Sequence, residues 1–312
     1  MKKISIVTPC YNEEENVEEL YKQVKQQFDT LPQYTYEHIF IDNASTDHTV
    51  DILRKLASKD KNVKLIVNAK NFGHIRSPYY GLLQAKGDAA MLMVADLQDP
   101  PALIPDFLKK WEEGHKVVLG IKNKSKEAPM MFALRKLFYK LIEKSSSIEH
   151  ISNFTGFGLY DQSFLDVLRT IDDSYPYFRG MVAELATDMA RIYYTQPARE
   201  HGKTKNNFFT LYDMALLGFV NYSKVPLRLA SYTGGALSLI CILAGIICLI
   251  WKLFCWDTLD LGFTPIAIGL FFLAGVQLFF IGMVGEYVGA IFTQIRKRPL
   301  VIERERVNFS EE

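Results

Sequence analysis

The sequence is short of the features that would place it in several common classes. Its 36 Lys and Arg nearly balance its 35 Asp and Glu, a formal charge of +1. No basic excess therefore points to a nucleic-acid partner. Four cysteines in 312 residues do not make a secreted disulfide framework. Cys10 ends the first strand pattern, and Cys241, Cys248 and Cys255 recur every seven residues, where they read as small packing residues on one helix face. Neither G-x-G-x-x-G nor G-x-x-x-x-G-K-[ST] occurs, so dinucleotide cofactors and P-loop chemistry lose support. The opening MKKISIVTPCYNEE has too short an apolar run for a signal peptide.

What the chain does have is a sharp division in hydropathy. Residues 1–205 read as a mixed soluble domain, and 206–228 as a juxtamembrane amphipathic stretch. Ser231 to Trp251 is then 21 residues without charge, and Leu261 to Gly285 is 25. Each exceeds the roughly 20 residues that cross a ~30 Å hydrocarbon core. Two transmembrane helices are expected within 229–295, with 296–312 as a tail. Lys224 and Arg228 precede the first run, and Arg296, Lys297, Arg298, Arg304 and Arg306 follow the second. That bias puts the soluble domain and both ends on the cytoplasmic side of the membrane. Met, Phe, Leu and Tyr interleave with basic residues over 129–145, and 208–228 leads into the first run. Both stretches suit a headgroup-plane helix; a helix packed on the sheet with a solvated basic face is the other reading.

The soluble part alternates strand and helix patterns. ISIVT (4–8), HIFID (38–42), VKLIV (63–67), AAMLMVA (89–95) and KVVLGI (116–121) read as strands. Val17, Leu20, Tyr21, Val24 and Phe28 mark one helix face, Val50, Leu53 and Leu56 a second, capped from Ser45–Asp47, and residues 102–113 a third. Such repetition predicts an α/β fold with a mostly parallel sheet and helices on both faces. Ligands of such sheets bind beyond the C-terminal strand ends, which here read TPCYNEE, IDNASTD, NAKNFG, ADLQDPP and GIKNK. The fourth of these puts two carboxylates at the end of a buried strand. Asp99, followed by Pro-Pro, has the pattern of a helix N-cap.

The motifs P-x-Y-N-E-E (9–14), I-D-N-A-S-T-D (41–47), N-F-G (71–73), A-D-L-Q-D-P-P (95–101) and R-E-H-G-K-T-K (199–205) occur in that order. Together with the two apolar runs, G-E-Y (285–287) and R-K-R-P (296–299), they resemble family 2 glycosyltransferases of the polyprenyl-phosphate type. Dolichol-phosphate mannose synthases and bacterial bactoprenol glucosyltransferases are of this type. The resemblance covers essentially the whole chain and implies a GT-A-like domain. The implied reaction moves a sugar from a nucleotide-sugar, UDP-glucose or UDP-N-acetylglucosamine being the leading donors, to polyprenyl (undecaprenyl) phosphate. It also implies Mg²⁺ or Mn²⁺ held by Asp96 and Gln98, since a hard cation suits carboxylate and amide oxygens.

By the same resemblance Pro9, Tyr11, Glu13 and Asp42 contact the nucleoside, although Tyr11 could equally pack as a core aromatic and Glu13 could cap a helix. Arg199 and Lys205 match donor-phosphate contacts, with a solvated basic loop as the alternative. Lys122 stands where the family has an arginine, keeping the charge but not the bidentate fork. Arg135 matches a contact to the lipid phosphate, and Tyr139 occupies the place of a serine beside it. Two further departures are Val94 and Gly156, each where many members carry Asp. The resemblance leaves self-assembly through the spans open, and implies a flippase and a second glycosyltransferase downstream. Rival readings are a processive polysaccharide synthase, which should carry the Q-x-x-R-W that is absent here, and an inactive membrane scaffold, whose support is Val94 and Gly156.

Overall fold

The computed structural model describes residues 1–123, 151–197 and 263–309, with scattered residues between 232 and 254, all helical. The chain begins with β1 (Lys2–Cys10), α1 (Val17–Asp29), β2 (Tyr34–Asp42), α2 (Thr49–Lys59), β3 (Val63–Asn68), α3 (Gly73–Leu83) and β4 (Ala89–Leu92). A 3₁₀ turn at Pro101–Leu103 leads into α4 (Ile104–Glu112) and β5 (Val117–Lys122). Then come β6 (Phe154–Asp161), α5 (Gln162–Arg169), α6 (Phe178–Leu185), β7 (Met189–Tyr194), α7 (Phe263–Ile295) and β8 (Glu303–Val307).

Strand alternation sorts the core into two layers. Ile4, Ile6 and Phe40 face one side, where they meet Leu20 of α1, Leu53 of α2 and Phe107 of α4. Val7, Ile39 and Ile41 face the other, against Leu82 of α3, Leu165 of α5 and Val182 of α6. Consecutive side chains of a strand point to opposite faces, so strands apolar on both faces are covered on both. In α1 the buried residues are Val17, Leu20, Val24 and Phe28, one stripe of the helix. Burying each is worth about 1.5–3 kcal/mol against leaving it in water.

The eight strands form one sheet in the order β7-β5-β6-β4-β1-β2-β3-β8. β1 pairs in parallel with β2 and β4, β2 with β3, and β5 with β7. β6 is antiparallel to both β4 and β5, and β8 is antiparallel to β3. Two reversals across β6 return β5 and β7 to the direction of β4. The C-terminal ends of β1, β2, β3, β4, β5 and β7 thus share one edge, and β6 starts there. The expected α/β architecture holds, with a more mixed sheet than the five strand patterns imply.

The segment expected as a tail is instead part of this sheet. β8 pairs Arg306 with Ile66 and Glu305 with Val67. Arg54 Nε donates to Glu305 Oε1 at 3.1 Å, and Tyr80 OH to Glu303 Oε1 at 2.8 Å. Asn308 Nδ2 donates to the carbonyls of Ala57 and Val63. β8 covers an edge that would otherwise offer unpaired backbone groups to another chain.

Among the described residues one helical stretch, Phe272–Ile295, is long and apolar enough to cross a membrane, with mean hydropathy 1.5 and none of it buried. It belongs to α7, which runs past the uncharged stretch ending at Gly285 and stops at Ile295. Gln294 Nε2 donates to Asp173 Oδ1 at 2.8 Å and Lys297 pairs with Asp172 at 3.1 Å, so the end of α7 is tied to the loop between α5 and α6. Of the expected first span, Ser231–Trp251, twelve residues are described, all of them helical. The stretches 129–145 and 208–228, and Cys241, Cys248 and Cys255, lie outside the described residues.

Candidate active site

Three strand-end turns on the shared edge carry a non-glycine residue in the left-handed region: Asn12 after β1 (φ 55°), Ala44 after β2 (φ 61°) and Leu97 after β4 (φ 59°). That conformation costs free energy for a residue with a Cβ, and it persists where the surroundings over-determine it. Here side chains do so. Asn12 Oδ1 accepts from Thr46 N at 2.8 Å, and Ser45 Oγ accepts from Asn12 N at 2.9 Å. Thr49 Oγ1 accepts from Glu13 N at 2.9 Å, and Glu14 Oε2 from His48 N at 2.9 Å. The P-x-Y-N-E-E and D-N-A-S-T-D loops therefore brace one another before any ligand arrives.

Asp42 is fully buried at the end of β2. It accepts from the Ser45 hydroxyl, and from Ser45 N at 3.0 Å. Burial raises its pKa, and these bonds pull the other way. Its immediate work is thus to shape the Asn43–Ser45 turn. Neighbouring Asn43 carries no weight in the sequence reading, yet it links two motifs. Its Nδ2 donates to Asn71 Oδ1 at 2.9 Å, and its Oδ1 accepts from Phe72 N at 2.9 Å. Pro9, in register with Ile41, and Tyr11 are half-buried at the end of β1. Glu13 accepts from Asn16 Nδ2 at 2.6 Å, while its carbonyl receives Asn16 N and Val17 N at the start of α1.

The loop after β4 holds the two carboxylates. Asp96 is buried, 6% exposed, and the left-handed Leu97 folds the chain so that Asp96 Oδ1 accepts from Gln98 N at 3.2 Å. This tight turn presents a carboxylate and a neighbouring amide side chain from consecutive alternate residues. Asp99 corrects the sequence reading. It is not a helix cap: no side chain caps the 3₁₀ turn or α4. Asp99 is 3% exposed and spans the sheet edge, accepting from Tyr194 OH at 2.9 Å through Oδ1 and from Val94 N at 3.3 Å through Oδ2. Burial pushes its carboxyl up to about 6, against the pull of Tyr194, Val94 and Lys122. The bond to Val94 closes the 94–99 loop, and the bond to Tyr194 moors that loop to β7.

Lys122 stands half-buried at the end of β5. Burial lowers its pKa, the charges of Asp99 and Asp96 raise it, and Arg179 lowers it again. Asp99, Asp96 and Arg179 therefore each sit within electrostatic reach of Lys122. Arg179, in the first turn of α6, lies in Y-F-R-G, a stretch with no motif signal in the sequence. Gly156, where family members often have Asp, adopts φ +108° and its carbonyl accepts from Tyr160 OH at 2.7 Å. An L residue is strained at that backbone, so glycine there belongs to the local geometry of β6.

The structure thus brings Pro9, Tyr11, Glu13, Asp42, Asp96, Gln98 and Lys122 to one edge. Arg135, Tyr139, Arg199 and Lys205 lie outside the described residues. Among the described residues no group of three or more His, Cys, Asp or Glu is arranged to hold a metal. Asp96 with the Gln98 amide offers a smaller set of hard oxygen donors. That set fits a cation that completes its shell with water and substrate phosphates.

Residues 5–169 match Glycosyl transferase family 2, and residues 225–291 match the GtrB C-terminal hairpin. The glycosyltransferase YkcC of Bacillus subtilis is 33% identical over 299 residues, covering 96% of this chain and 92% of its own. The bactoprenol glucosyl transferase of Shigella phage SfV is 32% identical over 311 residues, covering 97% and 99%. A solved mycobacterial protein, 17% identical, superposes with a TM-score of 0.50 over 70% of this chain and 73% of its own, which supports the fold alone. By its catalytic domain and its C-terminal hairpin, this chain belongs to glycosyltransferase family 2, in the polyprenyl-phosphate branch that resembles the bactoprenol glucosyl transferases.

Proposed function

We propose that this chain is a membrane-bound transferase that moves a hexosyl group from a nucleotide-sugar to polyprenyl phosphate with inversion at the anomeric carbon. UDP-glucose and UDP-N-acetylglucosamine are the proposed donors. The observation that carries the reading is the Asp96–Leu97–Gln98 turn, held on the common strand edge with Asp96 within electrostatic reach of Lys122. The names of the full-length relatives support the lipid acceptor.

Asp96 and Gln98 would hold Mg²⁺ or Mn²⁺, which when bound stabilises charge on a departing diphosphate. Lys122, at the end of β5 and within electrostatic reach of Asp96, would meet the donor phosphates. Arg199 and Lys205 are proposed for the same task, and Pro9, Tyr11, Glu13 and Asp42 for the nucleoside. Arg135 and Tyr139 are proposed on the acceptor side. A phosphate monoester with second pKa near ~6 is mostly dianionic at pH 7, so no side chain has to deprotonate the nucleophile. The buried brace of Asp99 and Tyr194 would keep the metal-binding turn from relaxing between turnovers.

The topology supports a membrane hairpin. β8 pairs with β3 in the sheet that also contains β1, so the chain returns after α7 to the side on which the catalytic layer stands. If α7 crosses the bilayer, the chain must cross it once more upstream. The uncharged run Ser231–Trp251 is the proposed second span. The basic residues after α7 favour the cytoplasmic side. A panel of nucleotide-sugars, presented with a short polyprenyl phosphate and Mn²⁺, tests the proposal. One donor should give a lipid-linked sugar, and no transfer from any of them would contradict it.

A further inference from the structure

We propose that Arg76 and Arg179 form the subsite that receives the phosphomonoester of the lipid acceptor, an assignment that rests on the transfer reaction proposed above. Arg76 lies in the first turn of α3, which starts at the shared strand edge. Its guanidinium stands over the Tyr175 ring at 5.2 Å. Its Nε is buried, and among the described residues it has no hydrogen-bond partner. A buried charged donor without an acceptor is costly, and native structures rarely retain one without a purpose. Arg179 stands over Tyr177 at 5.4 Å and is close enough to Lys122 to depress its amine. Among the described residues, neither arginine forms an ion pair with a carboxylate. Two forked donors held by aromatic rings at the site edge suit a phosphate, which they can grip bidentately.

The position favours the acceptor over the donor. Tyr175 N donates to Asp173 Oδ1 at 2.8 Å, and the same oxygen receives Gln294 from the end of α7. Asp172 pairs with Lys297 just beyond that helix. Residues 172–179 therefore run from the end of α7 to the two arginines, and Arg179 in turn lies within electrostatic reach of Lys122. A phosphate carried on a prenyl chain enters from the headgroup level and meets the arginines first. The donor diphosphate has the cation-binding turn at Asp96 and Gln98 for its charge. The acceptor brings no ion of its own, and an arginine pair without a carboxylate is the charge it needs.

The test is steady-state kinetics of the full-length protein in nanodiscs, varying each substrate in turn, for Arg76→Gln, Arg76→Lys and Arg179→Gln. Loss of charge-assisted bonds to phosphate should raise the KM for polyprenyl phosphate about 10- to 100-fold. The KM for the nucleotide-sugar should stay within about twofold of wild type. Arg76→Lys should fall between, because it keeps the charge and loses the fork. It also keeps a long stem over Tyr175, and melting curves would show whether Gln has loosened that loop where Lys has not. An unchanged acceptor KM in both folded Arg76 variants, or an equal rise in donor KM, would overturn the assignment. A wild-type protein that transfers no sugar to polyprenyl phosphate would contradict the underlying reaction instead, so the two failures are distinct.

Discussion

Replacing Tyr194 by Phe removes one hydroxyl, and with it the 2.9 Å bond to Asp99 Oδ1. Asp99 then keeps Val94 N at 3.3 Å as its described backbone donor while remaining 3% exposed. A hydrogen bond to a charged group contributes about 1.5–3 kcal/mol net. For a folded unit of this size each kcal/mol moves the midpoint by roughly 2–4 °C, so the variant should melt about 3–12 °C below wild type. Burial already holds the Asp99 carboxyl at about 6, and the Tyr194 bond is one of the groups lowering it. Its loss therefore moves that pKa further up. The functional consequence lies three residues away. Asp99 closes the loop that carries Asp96 and Gln98, and loosening the support of a metal ligand typically costs about 10-fold or more in metal affinity. The assay is transfer rate against Mn²⁺ concentration, beside a thermal melt. Tyr193→Phe is the control, since Tyr193 is 60% exposed and should change neither. A Tyr194→Phe protein with wild-type melting and wild-type Mn²⁺ dependence would refute the brace. Asp99→Asn should also be harmful, because one oxygen becomes an amide donor facing either the Tyr194 hydroxyl or the Val94 N–H.

Asp96→Asn should lower transfer at least about 100-fold without unfolding the protein, as read by activity and circular dichroism, because it removes the carboxylate proposed for the cation. Glu37 is 1% exposed and holds Lys3, Lys64 at 2.7 Å and Ser5 at 2.6 Å. Burial alone would raise its pKa, but those partners outweigh burial and bring it down to about 2. A folded pKa below the unfolded one gives stability present above about 4.5 and lost as pH falls toward 2, on the order of 3 kcal/mol here. Glu37→Gln should flatten that part of an acid-denaturation curve. Gly156→Asp should destabilise the catalytic layer by about 1–3 kcal/mol, since its φ of +108° suits glycine; a more active and equally stable variant would show that the carboxylate was a genuine loss. Ending the chain after Arg298 should uncover β3 and promote aggregation, measured by light scattering.

The sequence made the first five strands easy to find and the last three hard. β1, β2 and β3 are apolar on both faces and bounded by motif residues, so pattern and position agree. β6 holds Gly156 and Gly158 within eight residues, which reads as loop, and its strand state depends on β4 and β5 on either side. β8 reads E-R-E-R-V, a charged tail by composition. Its place is set by Arg54, Tyr80 and β3, over two hundred residues earlier. Asp99 was legible as polar and wrongly legible as a cap, because D-P-P is a local signal and its partner Tyr194 is 95 residues away. The edge-forming motifs, by contrast, were visible as a set. Each lies directly after a strand, and parallel strands bring their ends together. What no pattern could supply was Arg76 and Arg179, which are ordinary helical arginines until the fold turns them toward one edge.

The central claim is that this chain glycosylates a lipid phosphate by a single displacement. Purified full-length protein, an α-linked nucleotide-sugar, polyprenyl phosphate and Mn²⁺, followed by NMR of the anomeric proton of the lipid product, tests it most directly. The account predicts a β-linked polyprenyl phosphate sugar, formed at a rate that falls on the acid side as the acceptor protonates near pH ~6. An α-linked product, or a donor consumed without any lipid-linked sugar, would contradict it.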